Sequence, residues 1–278
     1  MAQESGSDGV AKKPKEKKGG FFSIECSTWD KVCELDCCID AIAFLVLAAG
    51  TGRDNVTTSW SAYAIQRYTG MAWDRAREAI RNLIEAGIIQ QTKAGSKPQY
   101  KIISPALEKA KADKQKAKAI PRIWLPNELI TGTGKEKPPL NRLRGTQDLK
   151  TLRFFINLYW VQNLTDEGGI DRKVLHKKYE RQLIGSVADF KVWGFTHGQL
   201  FAQTTGKTDC LVHKLLDDPE PATKTKRAEY DWTPFSDSMR TLERFGLINW
   251  ITYLCEDDGK DGELIHACIY DPECEKTT

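Results

Sequence analysis

Catalysis or metal binding would need reactive side chains at suitable spacing, and the cysteines and histidines are the first to weigh. Cys26, Cys33, Cys37 and Cys38 lie close together early in the chain. They lack the two-residue knuckle of a zinc site, and Cys33 and Cys37 fall one helical turn apart beside an apolar run, so they read as small buried hydrophobes. Cys255, His266, Cys268 and Cys274 fall short of a ligand set as well, since Cys255 and Cys268 can face each other across a hairpin. His176, His197, His213 and His266 stand in no triad-like pairing, and "GTGKEK" (132–137) has the wrong spacing for a phosphate loop. The expectation is a chain with no catalytic residue, no metal ligand and no cofactor.

A different chemistry is written into "TGMAWDRAREAIRNLIEAGII" (69–89) and the "QQTKAGSKPQYKII" that follows it. Arg75, Arg77, Arg81 and Asn82 belong to the polar side of a helix, shared with Asp74, Glu78 and Glu85. Arginine and asparagine suit base edges because each can make paired hydrogen bonds, to guanine and adenine respectively. Lys93 and Lys97 sit at a Gly-Ser-Lys-Pro tip, where they would meet phosphates. Thr57, Thr58 and Ser59 offer an N-cap to the preceding helix, and helix N-termini attract phosphate. From Arg67 to Lys101 the chain has seven Lys/Arg against three Asp/Glu, a net +4. From Glu256 to Lys276 it has two against eight, a net −6. The whole molecule carries only +3, so a polyanion would be drawn to the first region and repelled by the second.

These residues need elements to hold them. Periodicity predicts a helix from Asp36 to Ala49, closed by Gly50 and Gly52, and a second from its Thr/Ser cap through Tyr68. A third spans 72–86, with Ala76, Ile80, Leu83 and Gly87 on its apolar face. Trp73 falls near that face and is expected in the core. Ile88-Ile89 and Tyr100 to Ile103 flank a hairpin, the wing 88–103. Three helices followed by such a hairpin make a winged helix-turn-helix over residues 26–104.

The rest of the chain divides by composition. Residues 1–25 read as a solvated basic tail without the apolar core of a secretory signal, and 105–147 as a Lys- and Pro-rich linker. A helix is expected over Asp148 to Leu164, then another in "GGIDRKVLHKKYERQLIG", positive through Arg172, Lys173, Lys177 and Lys178. "RTLERFGLINW" (240–250) parallels "RNLIEAGIIQQ" (81–91): arginine, an apolar pair, glycine, then a strand-like apolar run. Residues 148–278 therefore read as a second winged-helix-like domain, with an insertion at 185–230 and an acidic hairpin carrying Glu256, Asp257, Asp258, Asp261 and Glu263. The expected class is α+β, mainly α, with two tandem winged helix-turn-helix domains. The longest apolar run, 37–50, contains Asp40 and is too short to span a bilayer comfortably, so no membrane is expected and the location is read as cytoplasmic, with eight reduced cysteines.

The stretch 69–89 also resembles the core of bacterial winged helix-turn-helix DNA-binding proteins, over about residues 57–100. In that family a Thr-Gly-aliphatic turn precedes a recognition helix that ends in leucine, a few residues, glycine and an aliphatic pair. The tandem arrangement is similar to that of plasmid and phage replication initiators. The resemblance implies that helix 72–86 enters the major groove and the helix before it crosses the backbone. Arg75, Arg77, Arg81 and Asn82 would then face the groove, Thr57, Thr58 and Ser59 the phosphates, and Lys93 and Lys97 the backbone or minor groove. The family usually caps this helix with Ser or Thr just after the aliphatic, where this chain has Ala72, leaving Asp74 as the alternative cap. The implied partner is duplex DNA, bound by a transcription regulator or replication initiator associated with the nucleoid. The second domain is expected to form a homodimer or recruit a protein. A protein-interaction adaptor that keeps the winged fold without DNA binding is the alternative.

Overall fold

A computed structural model describes residues 20–106, 120–134, 137–162, 169–170, 180–196, 233–249, 252–255 and 264–268. Over these residues the protein is α+β, with helices around small antiparallel sheets. The first half runs β1 (Phe21–Glu25), α1 (Cys26–Glu34), α2 (Cys38–Ala49), β2 (Thr57–Thr58), α3 (Ala62–Thr69), α4 (Trp73–Glu85), β3 (Ile89–Lys93) and β4 (Gln99–Ile102). It continues with β5 (Arg122–Pro126), α5 (Glu128–Thr131), α6 (Pro139–Arg144) and α7 (Leu149–Val161). Then come β6 (Glu180–Val187), β7 (Phe190–Thr196), α8 (Thr233–Arg244), β8 (Thr252–Cys255) and β9 (Leu264–Cys268).

Helix α2 is the centre. Residues Ala41 to Ala48 are fully buried, as expected of a helix apolar on all sides, because every face must meet a neighbour. Those neighbours are α1, α3, α4, β1 and α5 to α7. The helix starts at Cys38, two residues later than expected, because Asp36 takes a left-handed turn (φ +50°) between α1 and α2. Among the described residues no helix is long and apolar enough to cross a membrane.

Two boundaries move. The end of the expected tail is strand β1, and the second half of the expected linker is structured. Ile123 and Leu125 of β5 pair antiparallel with Ile24 and Phe22 of β1, and all four side chains are buried on one face of the ribbon. Leu129 and Ile130 of α5 and Leu140 and Leu143 of α6 are buried too. The Lys- and Pro-rich composition around them masks a short apolar alternation that a two-stranded ribbon can bury. The Lys-rich residues 107–119, like 1–19, lie outside the described residues.

Helix α7, expected to open a separate domain, packs on β5, α2 and α8. Asp148 caps it, accepting from the Lys150 backbone N–H at 2.9 Å. Thr151 Oγ1 donates to the Asp148 carboxylate and shares a hydrogen bond with Ser238 Oγ on α8 at 3.0 Å, and Arg153 pairs with Asp30 on α1 at 3.6 Å. One cluster of buried side chains runs from Phe22 to Leu242 without a break. Strands β6 and β7 form a hairpin turning at Ala188-Asp189. Residues 180–184, expected as helix, are therefore strand, and the expected insertion boundary at Gly185 falls inside β6. In the last hairpin Cys268 pairs with Thr252 and Cys255 with Leu264, so the two cysteines do not face each other.

Candidate nucleic-acid interface

The expected reading helix is α4. Ala76, Ala79, Ile80 and Leu83 are buried against α2 and α3, as the apolar periodicity requires. Its N-cap is Ala72, with extended backbone and no side-chain cap, so Asp74 is a first-turn acid and not the cap. The C-terminus closes tightly: Gly87 N–H donates to Ile84 O at 2.9 Å and Ile88 N–H to Leu83 O at 3.0 Å. Gly87 takes φ +67°, a left-handed conformation that glycine adopts without steric cost. This closure delivers Ile88 and Ile89, both buried, into the hairpin.

The turn before α4 is equally specified. Thr69 is buried, donates through Oγ1 to Ile65 O at 2.6 Å and accepts from the Met71 N–H at 3.2 Å. Gly70 takes φ +68°, and Met71 drops into the core.

The outward face of α4 differs from the expectation in three places. Asn82 turns inward: its Nδ2 donates to the Asp40 carboxylate of α2 at 3.1 and 3.4 Å. Burial raises the Asp40 pKa, and the Asn82 hydrogen bond opposes that rise, so Asn82 serves a buried acid and does not face a groove. Trp73 is 43% exposed, because it is the first helical residue and overhangs the edge of the packed surface. Directly opposite the buried stripe, at about 100° per residue, lie Asp74, Glu78, Arg81 and Glu85. Arg81 is 3.4 Å from Glu78 and 3.8 Å from Glu85, while Arg75 and Arg77 are exposed on the two flanks of that acidic centre.

Thr57 and Thr58 are not a helix cap either. They form β2, and α3 begins at Ala62 after Ser61. Thr58 is buried and its Oγ1 accepts from the Trp60 N–H at 3.1 Å. The Thr57 N–H donates to the Asp54 carboxylate at 3.2 Å, and the N–H groups of Val56 and Thr57 hold that carboxyl below the usual range. Neither threonine presents a free N–H to a phosphate, and Asp54 would oppose one. Ser59 is exposed.

The hairpin is the cleaner feature. Strand β4 lies between β2 and β3, with Thr58 opposite Tyr100 and Gln91 opposite Tyr100 on the other side. Tyr100 and Ile102 are buried, but from Gln90 to Lys97 every residue is exposed. A register shift between Gln91 and Lys93 marks a β-bulge in β3. No Asp or Glu occurs from Ala86 to Ala106, while Lys93, Lys97 and Lys101 are all exposed. Lys101 is an addition to the expected set, signalled by the alternation in "QYKI".

Comparison with known proteins finds no matching family model, curated protein or solved structure. The site therefore stands on its own geometry. Among the described residues no three His, Cys, Asp or Glu side chains converge. Burial pushes the Cys33 and Cys38 thiols up to about 12, which keeps them neutral and packed as apolar groups. Arg172, Lys173, Lys177 and Lys178, and Glu256, Asp257, Asp258, Asp261 and Glu263, lie outside the described residues, as do His176, His197, His213 and Cys274.

Proposed function

We propose that the protein binds duplex DNA through a winged helix-turn-helix built from α2, α3, α4 and the hairpin β3–β4. The observation that carries this reading is an acid-free hairpin, exposed throughout from Gln90 to Lys97 and bearing Lys93, Lys97 and Lys101, set immediately after an arginine-bearing helix in the strand order β2-β4-β3. Lysines on such a ribbon neutralise phosphates and release counterions, giving affinity without sequence preference. In this reading Arg75 and Arg77, exposed on the flanks of α4, read base edges. Arg81 is held by two acids and would have to exchange them for a guanine. The helix–hairpin unit α8–β8–β9 serves dimerisation or recruitment, in a regulator or replication initiator, and no catalytic step is part of this reading.

A second reading is favoured by one specific feature. The centre of the α4 face is acidic and is edged by the exposed Trp73, a combination that suits a protein partner better than a phosphate backbone. Fluorescence anisotropy with a random-sequence duplex, followed by selection from a duplex library, separates the two. DNA binding predicts affinity that falls steeply with salt and a site preference that relaxes on Arg75→Ala/Arg77→Ala. Absence of duplex binding at about 50 mM salt, where the counterion term is large, would sink the DNA reading and favour the adaptor. Light scattering at micromolar concentration tests the dimer, which a monomer would overturn.

A further inference from the structure

Helix α6 carries two polar side chains whose position the winged unit does not explain. Its Leu140 and Leu143 are buried in the core, which turns Asn141 and Arg144, three residues apart and so on one face, toward the turn between α3 and α4. Gly70 is at the apex of that turn. A Cβ placed on Gly70 would lie 3.7 Å from Asn141 Nδ2 and 3.8 Å from Arg144 Nη2, so both donors stand over the glycine with no side chain between. Arg144 is half-buried, and its Nε is shut off from solvent without a hydrogen-bond partner. A guanidinium stays charged at all ordinary pH, so a half-buried one favours an anion beside it. An anion seated over the turn would accept from Arg144 Nη2 and the Asn141 amide, while the enclosed Nε stays out of its reach.

We propose that Asn141 and Arg144 form a phosphate-binding notch over the α3–α4 turn, occupied by a backbone phosphate of the duplex that α4 engages. The notch rests on the DNA-binding reading. It extends the interface beyond the hairpin to a helix about seventy residues further along the chain, at the end of α4 opposite the wing. Because phosphate contacts fix register without reading sequence, the notch positions α4 and leaves base choice to Arg75 and Arg77.

The test uses the full chain with Arg144→Ala, Arg144→Lys and Asn141→Ala, each checked for an unchanged unfolding transition. Duplex affinity is measured by anisotropy across a salt series, and stabilisation by inorganic phosphate is measured by thermal unfolding. The expected result is a three- to tenfold affinity loss for Arg144→Ala at low salt, with the log–log salt slope smaller by about 0.9, the value of one phosphate contact. Arg144→Lys should restore most of the slope, because the charge is kept. If the parent binds duplex and Arg144→Ala matches it in affinity and slope, the notch is overturned while the DNA reading stands. If the parent binds no duplex but phosphate stabilises it and not Arg144→Ala, the DNA reading and the duplex as source are overturned, and the notch survives as a free-phosphate site. No duplex binding and no phosphate effect overturn both.

Discussion

Helices α4 and α8 end alike, and the residues around them differ. Gly246 takes φ +62° after α8 as Gly87 does after α4, with Gly246 N–H donating to Glu243 O at 2.8 Å and Leu247 N–H to Leu242 O at 2.9 Å. Leu83 and Leu242 occupy the same place in the closure and both are fully buried. Arg81 and Arg240 each pair with an acid three residues earlier, and each helix is followed by a two-stranded hairpin. The hairpins have opposite charge. The first has no acid, whereas the sequence joining β8 to β9 holds five acids and Lys260. The shared pattern of arginine, leucine and glycine specifies how a helix hands over to a hairpin. Charge then decides what each hairpin can meet, and only the first suits a polyanion.

Substitutions can break or sharpen this comparison. The largest effect is expected from Leu83→Ala and Leu242→Ala, each costing about 2–5 kcal/mol in urea unfolding, as large-to-small changes in a packed core do. Since both side chains belong to one cluster, each variant should unfold in a single transition. A separate, early transition for Leu242→Ala alone would detach the second unit from the core. Next in size, Lys93→Ala/Lys97→Ala should weaken binding to all duplexes alike and reduce the salt slope by about 1.8, two phosphate contacts. Reversing acids in the second hairpin should leave both quantities unchanged, and a comparable effect there would erase the contrast.

Smaller again, Gly87→Ala and Gly246→Ala should each cost about 1 kcal/mol, the penalty of a left-handed backbone for a residue with a Cβ. Unequal costs would mean that the two closures are alike only in hydrogen bonding. A pH effect distinguishes the units further, through the buried carboxyl behind α4. The folded-state pKa of Asp40 is raised, so its contribution to stability is fully present below the unfolded value and is lost as pH rises through the folded one. Asp40→Asn should therefore stabilise at neutral pH, with the advantage shrinking as pH falls toward the ordinary carboxylate range. Urea unfolding at pH 4 and pH 7 measures it, and an advantage that grows on acidification would reverse the assigned sign.

The helix α4, its glycine closure and its hairpin are legible in the sequence because their signals are local: a 3.6-residue period, a left-handed glycine and a strand pair around a polar tip. The β1–β5 ribbon is not, since its two halves are each too short to stand out and are separated by on the order of a hundred residues. Within the site, Arg75, Arg77, Lys93 and Lys97 are exposed as their polarity suggests. Asn82 and Thr58 are not, for tertiary reasons. A lone carboxylate in an apolar helix must find a donor, so Asp40 was the available signal that some amide would turn inward. Thr58 is buried because it pairs with Tyr100, a partner that periodicity around residue 57 does not reveal. Arg144 becomes conspicuous only when the fold brings it to Gly70.

The distance between β1 and β5 along the chain has a consequence during synthesis. At the usual rate of elongation, β1 leaves the ribosome roughly 5–20 s before β5 exists to pair with it. For that interval Phe22 and Ile24 lack their cross-strand partners, Leu125 and Ile123, and α2 can meet only α1, α3 and α4 among its helical neighbours. The nascent chain thus carries an open apolar edge in β1, and its greatest need of protection from aggregation comes before the last part of the core is made.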